Sequence, residues 1–166
     1  RVRVDILADV LELTDERWRG AVEGYLNAQK FYLLVDPAYY KNALLIFDRI
    51  KKEFGFASFG LVDIGKLREQ ETICPCDGSL ANKVDTENQL ARSYIDYLLG
   101  RVVCCEKAEQ LRNFKTGMTA DGLLYQGYVV RSIRRELMDD AFIGRRAVSL
   151  RVSRLEEELE QIEDRL

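Results

Sequence analysis

Residues 118–133 read "MTADGLLYQGYVVRSI", and how this stretch is read decides the fold. Leucine, tyrosine and valine dominate beyond Asp121-Gly122, a dipeptide that favours a tight reversal. The segment is therefore predicted as strand, turn, strand. Upstream, "RVVCC" (101–105) is an apolar run of strand length, and "EKAEQLRNF" (106–114) reads as a short helix. Before them, "TENQLARSYIDYLLG" (86–100) reads as a helix with Leu90, Tyr94, Tyr97 and Leu98 inward and Gly100 at its end.

The same order occurs earlier in the chain. "VRVDILADVLEL" (2–13) reads as a strand running into a turn. Thr14 suits the N-cap of a helix over "TDERWRGAVEGYL" (14–26), where Trp18, Ala21, Val22 and Tyr25 share one face. "KFYLLVD" (30–36) is a buried strand, and Pro37 opens the next helix. Tyr40, Ala43, Leu44, Phe47 and Ile50 form that helix's expected buried stripe, and Gly55 stops it. "FASFGLVDI" (56–64) is predicted as a further short strand.

"AVEGYLNAQKFYLLVDPAYYKNAL" (21–44) and "SYIDYLLGRVVCCEKAEQLRNF" (93–114) then align as one unit used twice. A first half at 1–72 and a second half at 89–147 follow. The connector at 73–88 gathers proline, glycine, serine and asparagine and loses periodicity. The predicted class is α/β, two pseudo-repeated halves, each with a small sheet and covering helices.

The last segment, "VSLRVSRLEEELEQIEDRL" (148–166), is different. Val148, Val152, Leu155, Leu159, Ile162 and Leu166 alternate spacings of four and three, a heptad seam. Charged residues fill the rest, so the stripe is too narrow for a globular core and suits one partner helix. Either the helix folds back on its own domain, or it is one side of a severed coiled coil and projects.

The 166 residues are 47% hydrophobic and 10% aromatic, which fits one globular domain or two small halves sharing a core. A formal charge of −3 gives no global field for nucleic acid, so any such contact is a local patch. No eighteen-residue apolar run or signal peptide appears, and the expectation is a soluble, cytoplasmic chain without a membrane partner. It opens on "RVRVDIL" without methionine, as an excised piece of something longer would.

Four cysteines and no histidine constrain the chemistry. Cys74 and Cys76 are one residue apart, and Cys104 and Cys105 are adjacent; neither is the C-x2-C spacing that converges on zinc, so no metal or cofactor is expected. Cys104 and Cys105 read as small apolar strand residues. A Cys74–Cys76 disulfide is the other reading of that pair, unusual in a cytoplasm. Without histidine the commonest general base is missing. Asp63, Asp121 and Cys74 are the best enzyme candidates, but no base or oxyanion group accompanies them, and aspartate beside glycine is ordinary turn chemistry. No catalytic residue is assigned.

These segments resemble the hinge domain of SMC proteins, the chromosome-organising ATPases. "ADVLELTDERWRGAVEGYLNAQKFYLLVD" (8–36) looks like the first hinge half. "YLLGRVVCCEKAEQL" (97–111) looks like the second-half signature, and "MTADGLLYQGYVV" (118–130) like its threonine-x-aspartate-glycine hairpin. The resemblance covers nearly all of 1–147, and the heptads beyond would be one arm of the SMC coiled coil. The tyrosine-rich first half looks closest to the SMC-like ATPases of bacterial plasmid defence, the Wadjet JetC and MksB group related to MukB. One departure is plain: the glycine-rich motif that usually follows the hairpin is replaced by "YVVRSIRRELMDDAFIGRRAV" (128–148), with Gly144 alone.

The resemblance implies a dimerisation and DNA-handling module. ATP hydrolysis would belong to head domains, and no G-x-x-x-x-G-K-[ST] occurs here. Its partners would be a second copy, DNA, and the other coiled-coil arm of the same full-length chain. SMC-like hinges meet through sheet edges, which places Gly122, Leu124, Tyr125, Gly127, Tyr128 and Val130 at the dimer interface; the other reading makes "LLYQGYVV" a central strand. Arg131, Arg134, Arg135, Arg145, Arg146, Arg151 and Arg154 crowd the exit into the coil. They form either a sequence-independent phosphate-binding patch or a solvated helix flank partly neutralised by Glu156, Glu157 and Glu158. A stand-alone α/β interaction module and an enzyme of unknown class are the competing functions.

Overall fold

The computed structural model describes residues 2–55 and 58–165. Leu166 of the heptad and the first two residues of "FASFGLVDI" lie outside them. In chain order come β1 (Val4–Ile6), β2 (Glu12–Leu13), α1 (Arg19–Leu26), β3 (Leu33–Val35), α2 (Tyr40–Phe54) and α3 (Ile64–Gln70). After them come β4 (Val84–Asp85), α4 (Gln89–Leu99), β5 (Val103–Cys105), β6 (Thr116–Thr119), β7 (Leu123–Gln126), β8 (Val129–Ser132), α5 (Arg135–Asp139) and α6 (Ala147–Asp164). Short 3-10 turns join several of these.

Each half has its own small sheet. β1 pairs antiparallel with β3, and the second half holds β5-β6-β7-β8, parallel at β5–β6 and antiparallel beyond. A third pairing, β2 with β4, ties the first half to the connector. The core is continuous. Leu7, Leu11, Trp18, Leu26 and Leu34 pack in one cluster with Ile95, Leu99, Met118 and Leu124, and the connector adds Leu80, Ala81 and Val84.

Several local expectations are corrected. Asp15, not Thr14, caps the first helical turn by accepting from the Arg17 N–H at 3.0 Å, while the Thr14 hydroxyl donates to the Asn82 carbonyl. The stripe on α2 is not buried. Leu44, Leu45, Ile46, Ile50 and Phe54 are exposed, and the helix packs chiefly on the Pro37–Tyr39 turn that starts it. Periodicity shows what a helix is able to bury, not which surface arrives to cover it. In "FASFGLVDI" the described residues hold only one bridge, Leu61 to Leu33, because Asp63 already caps α3. On α4 the inward face is Ala91, Ile95 and Leu99, with Tyr97 exposed. Ala91 has no bulk beyond Cβ, so the helix approaches the core on that side.

Candidate dimer and nucleic-acid interface

The hairpin begins at a reversal after β6, where the Gly122 N–H donates to the Thr119 carbonyl at 3.1 Å and the Leu123 N–H to the Thr119 hydroxyl at 3.1 Å. The predicted strand "LLYQGYVV" is broken by a second turn. Gly127 and Tyr128 hold φ of 58° and 64°, the left-handed pair of a type I′ turn, and β7 folds back on β8 with Gln126 opposite Val129.

This splits the predicted interface. Leu124 is fully buried in the chain's own core, and Gly122 is packed under Met138; neither side of the hairpin offers them to a second copy. Tyr125 is half-buried. Gly127, Tyr128 and Val130 are exposed. β8 lies at the sheet edge with every residue exposed, and Tyr128 is 93%, Val129 57% and Val130 52% accessible.

The arginines do not form one bare patch. Arg135 faces Asp139 at 3.9 Å, Arg145 faces Glu12 at 3.7 Å, and Arg146 faces Glu16 at 3.6 Å. Arg154 binds Glu158 at 2.9 Å and also Asp140. The Arg151 guanidinium lies 4.5 Å from the Phe142 ring centroid, a cation–π stack. Of the predicted set, Arg131, Arg134 and Arg151 have no carboxylate partner among the described residues, and Arg151 has the Phe142 ring instead.

A second charge cluster, which sequence reasoning missed, fixes the root of α6. Glu23, in the middle of α1, is 0% exposed. Its Oε2 accepts the backbone N–H groups of Phe142 at 2.7 Å and Ile143 at 3.0 Å, and Arg19 Nη1 at 3.2 Å. Lys30 Nζ donates to its Oε1 at 3.1 Å and to its carbonyl at 3.2 Å. Arg19 also donates to the Ile143 carbonyl at 2.7 Å and to Glu16 at 2.7 Å. Burial pulls the Arg19 guanidinium down, but its bond to Glu16 and the nearby carboxylate charges outweigh this and hold it above its ordinary value. The Phe142 ring carries Lys30 at 5.2 Å and Phe31 edge-on at 5.0 Å. The loop leading to α6 is therefore bolted to α1 of the first half. Beyond it the seam is uncovered: Val148, Val152, Leu155, Leu159 and Ile162 are all exposed.

Cys74 and Cys76 are exposed free thiols, so the disulfide reading of that pair is not realised. Burial, with a smaller push from neighbouring Cys105, Glu106 and Asp15, raises the Cys104 thiol to about 11. No helix among the described residues is long and apolar enough to cross a membrane.

Two small sheets, a joining pair at β2–β4 and a heptad helix leaving the second half make up the SMC hinge fold, and the comparison with solved structures shows it. The chain is similar to the hinge domain of Geobacillus stearothermophilus SMC, solved as an asymmetric dimer, with 15% identity and a TM-score of 0.61 over 98% of this chain and 71% of that one. It is similar to the Pyrococcus furiosus SMC hinge at 18% identity and TM-score 0.61, over 81% of this chain and 73% of that one. The Pyrococcus furiosus Smc hinge with an extended coiled coil gives 16% identity and TM-score 0.59, over 99% and 61%. No protein-family model matches the sequence, and no curated relative does.

Proposed function

We propose that this chain is the dimerisation hinge of an SMC-like ATPase of the Wadjet JetC and MksB group, serving DNA organisation or plasmid defence. The carrying observation is β8, an edge strand of valines with its backbone unpaired on one side and Tyr128 at its tip. Such an edge invites a strand from another chain. The partner strand is in the first half of a second copy, which gives a two-fold homodimer. α6 is the start of one coiled-coil arm, and its seam takes the other arm. Hydrolysis belongs to head domains outside this chain.

Light scattering after gel filtration should give twice the 19.2 kDa chain mass. A Tyr128→Glu, Val130→Lys variant should be monomeric with unchanged circular dichroism, since both side chains are exposed. A monomeric wild type across micromolar concentrations overturns the hinge role. DNA binding is weak, sequence-independent and salt-sensitive. Labelled duplex titrated at two salt concentrations should separate wild type from a charge reversal of Arg134, Arg135, Arg145 and Arg146. Equal binding removes those residues from the reading.

A further inference from the structure

Arg131 stands directly opposite Leu124 in the β7–β8 ladder, so both side chains leave the same face of the hairpin. Leu124 is fully buried, and that face therefore looks into the molecule. Arg131 leaves from that face but stays exposed at the sheet edge, with no carboxylate partner among the described residues. A half-open cavity of about 490 Å³ lies between the hairpin, the end of α1 and the start of α5. Tyr25, Asn27, Gln29 and Gln126 line its polar wall, and Arg131 and Arg134 are its only charges. Gln126 stands beside the Tyr25 hydroxyl, and the Arg131 charge acts on the same oxygen.

The neighbouring arginines make the contrast. Arg135, Arg145, Arg146 and Arg154 each face an acid. The two that line the cavity do not, and what surrounds them is neutral and rich in donors. Guanidinium groups present planar forks of N–H donors that match a phosphate oxyanion, and amide and hydroxyl donors complete its shell.

We propose that this cavity binds a phosphate group, carried either by a nucleic-acid strand or by a free nucleotide. The site refines the DNA reading above but stands apart from the dimer: a monomeric chain overturns the hinge role and leaves the cavity intact.

The test uses the isotope-labelled 166-residue chain at low salt, titrated separately with pyrophosphate, dAMP and a short single-stranded oligonucleotide. The readout is the side-chain amide signals of Asn27, Gln29 and Gln126. Those signals should shift saturably, and Arg131→Gln and Arg134→Gln should each weaken binding about tenfold or more. Arg145→Gln with Arg146→Gln should leave it nearly unchanged. Saturation by pyrophosphate or dAMP identifies a free terminal phosphate as the ligand; saturation by the oligonucleotide alone identifies the phosphodiester. Arg131→Lys keeps the charge but loses the fork, and should fall between wild type and Arg131→Gln, which separates recognition from misfolding. Absence of any saturable amide shift, or equal affinity in wild type and both glutamine variants, overturns the proposal.

Discussion

Replacing Glu23 with alanine removes the buried carboxylate that holds the loop before α6. Four bonds to the Glu23 carboxylate are lost: the Phe142 and Ile143 N–H groups, Arg19 and Lys30. Arg19 keeps Glu16, but Lys30, 3% exposed, is left with a buried charge, the residue 23 carbonyl and the Phe31 and Phe142 rings, and no carboxylate. Removing one partner of a buried ion pair costs about 3–5 kcal/mol. For a chain of this size that is a fall in Tm of roughly 6–20 °C. Urea unfolding followed by circular dichroism is the assay. A Glu23→Met, Lys30→Met pair removes both charges and should recover a large part of the loss. It should not recover all, because the Phe142 and Ile143 N–H groups still lack an acceptor. A loss below about 1 kcal/mol in Glu23→Ala, the value of an exposed pair, would refute the reasoning. So would a double variant as unstable as the sum of the singles, since coupled partners must be non-additive.

Gly24→Ala places a Cβ 2.8 Å from Ile133 Cγ2, a β-branched side chain with little room to move, and should destabilise by about 1–2 kcal/mol in urea; adding Ile133→Val should return part of it. Tyr128→Gly relieves a left-handed backbone at a non-glycine residue and should stabilise the folded chain by up to about 1 kcal/mol, while light scattering shows weaker association. Iodoacetamide at pH 8 should label Cys74 and Cys76 and spare Cys104 in peptide mass mapping, because Cys104 ionises near 11 when folded. The same shift sets a pH window. The buried thiol favours its neutral form, so its contribution is intact below the unfolded value of 9.0 and is lost as pH rises toward about 11. Unfolding midpoints should fall over that interval, and less so in Cys104→Ala.

The turn at Asp121-Gly122 was legible because its residues are the ones a reversal requires. The turn at Gly127-Tyr128 was not, since tyrosine at positive φ contradicts the usual turn chemistry and left "LLYQGYVV" looking like one strand. The heptad seam of α6 could be read from spacing alone. On α4, Leu90, Tyr94 and Leu98 overlap with Ala91, Ile95 and Leu99 as rival stripes one residue apart, and only the packed structure chooses between them. Glu23 gave no signal, because a carboxylate on a helix is by default solvated. Arg19 and Lys30 are near in sequence, but the two N–H groups that bury it come from residues 142–143, more than a hundred positions away. The arginine cluster was legible as spacing, but not the carboxylates that answer most of it, which come from β2, the turn before α1, α5 and α6 itself.

The bolting of the exit loop to α1 also sets a load path. α6 follows the second half in the chain, yet its root is gripped by the first: by Glu23, through Phe142 to Arg151, and by Glu16 on Arg146. A torque on α6 is therefore not free to be absorbed by swivelling at residues 142–146. It turns α1, which is packed against α5, and so is felt across the middle of the domain. α6 is thus rooted in the opposite half, and the packing of α1 on α5 lies directly behind its anchor.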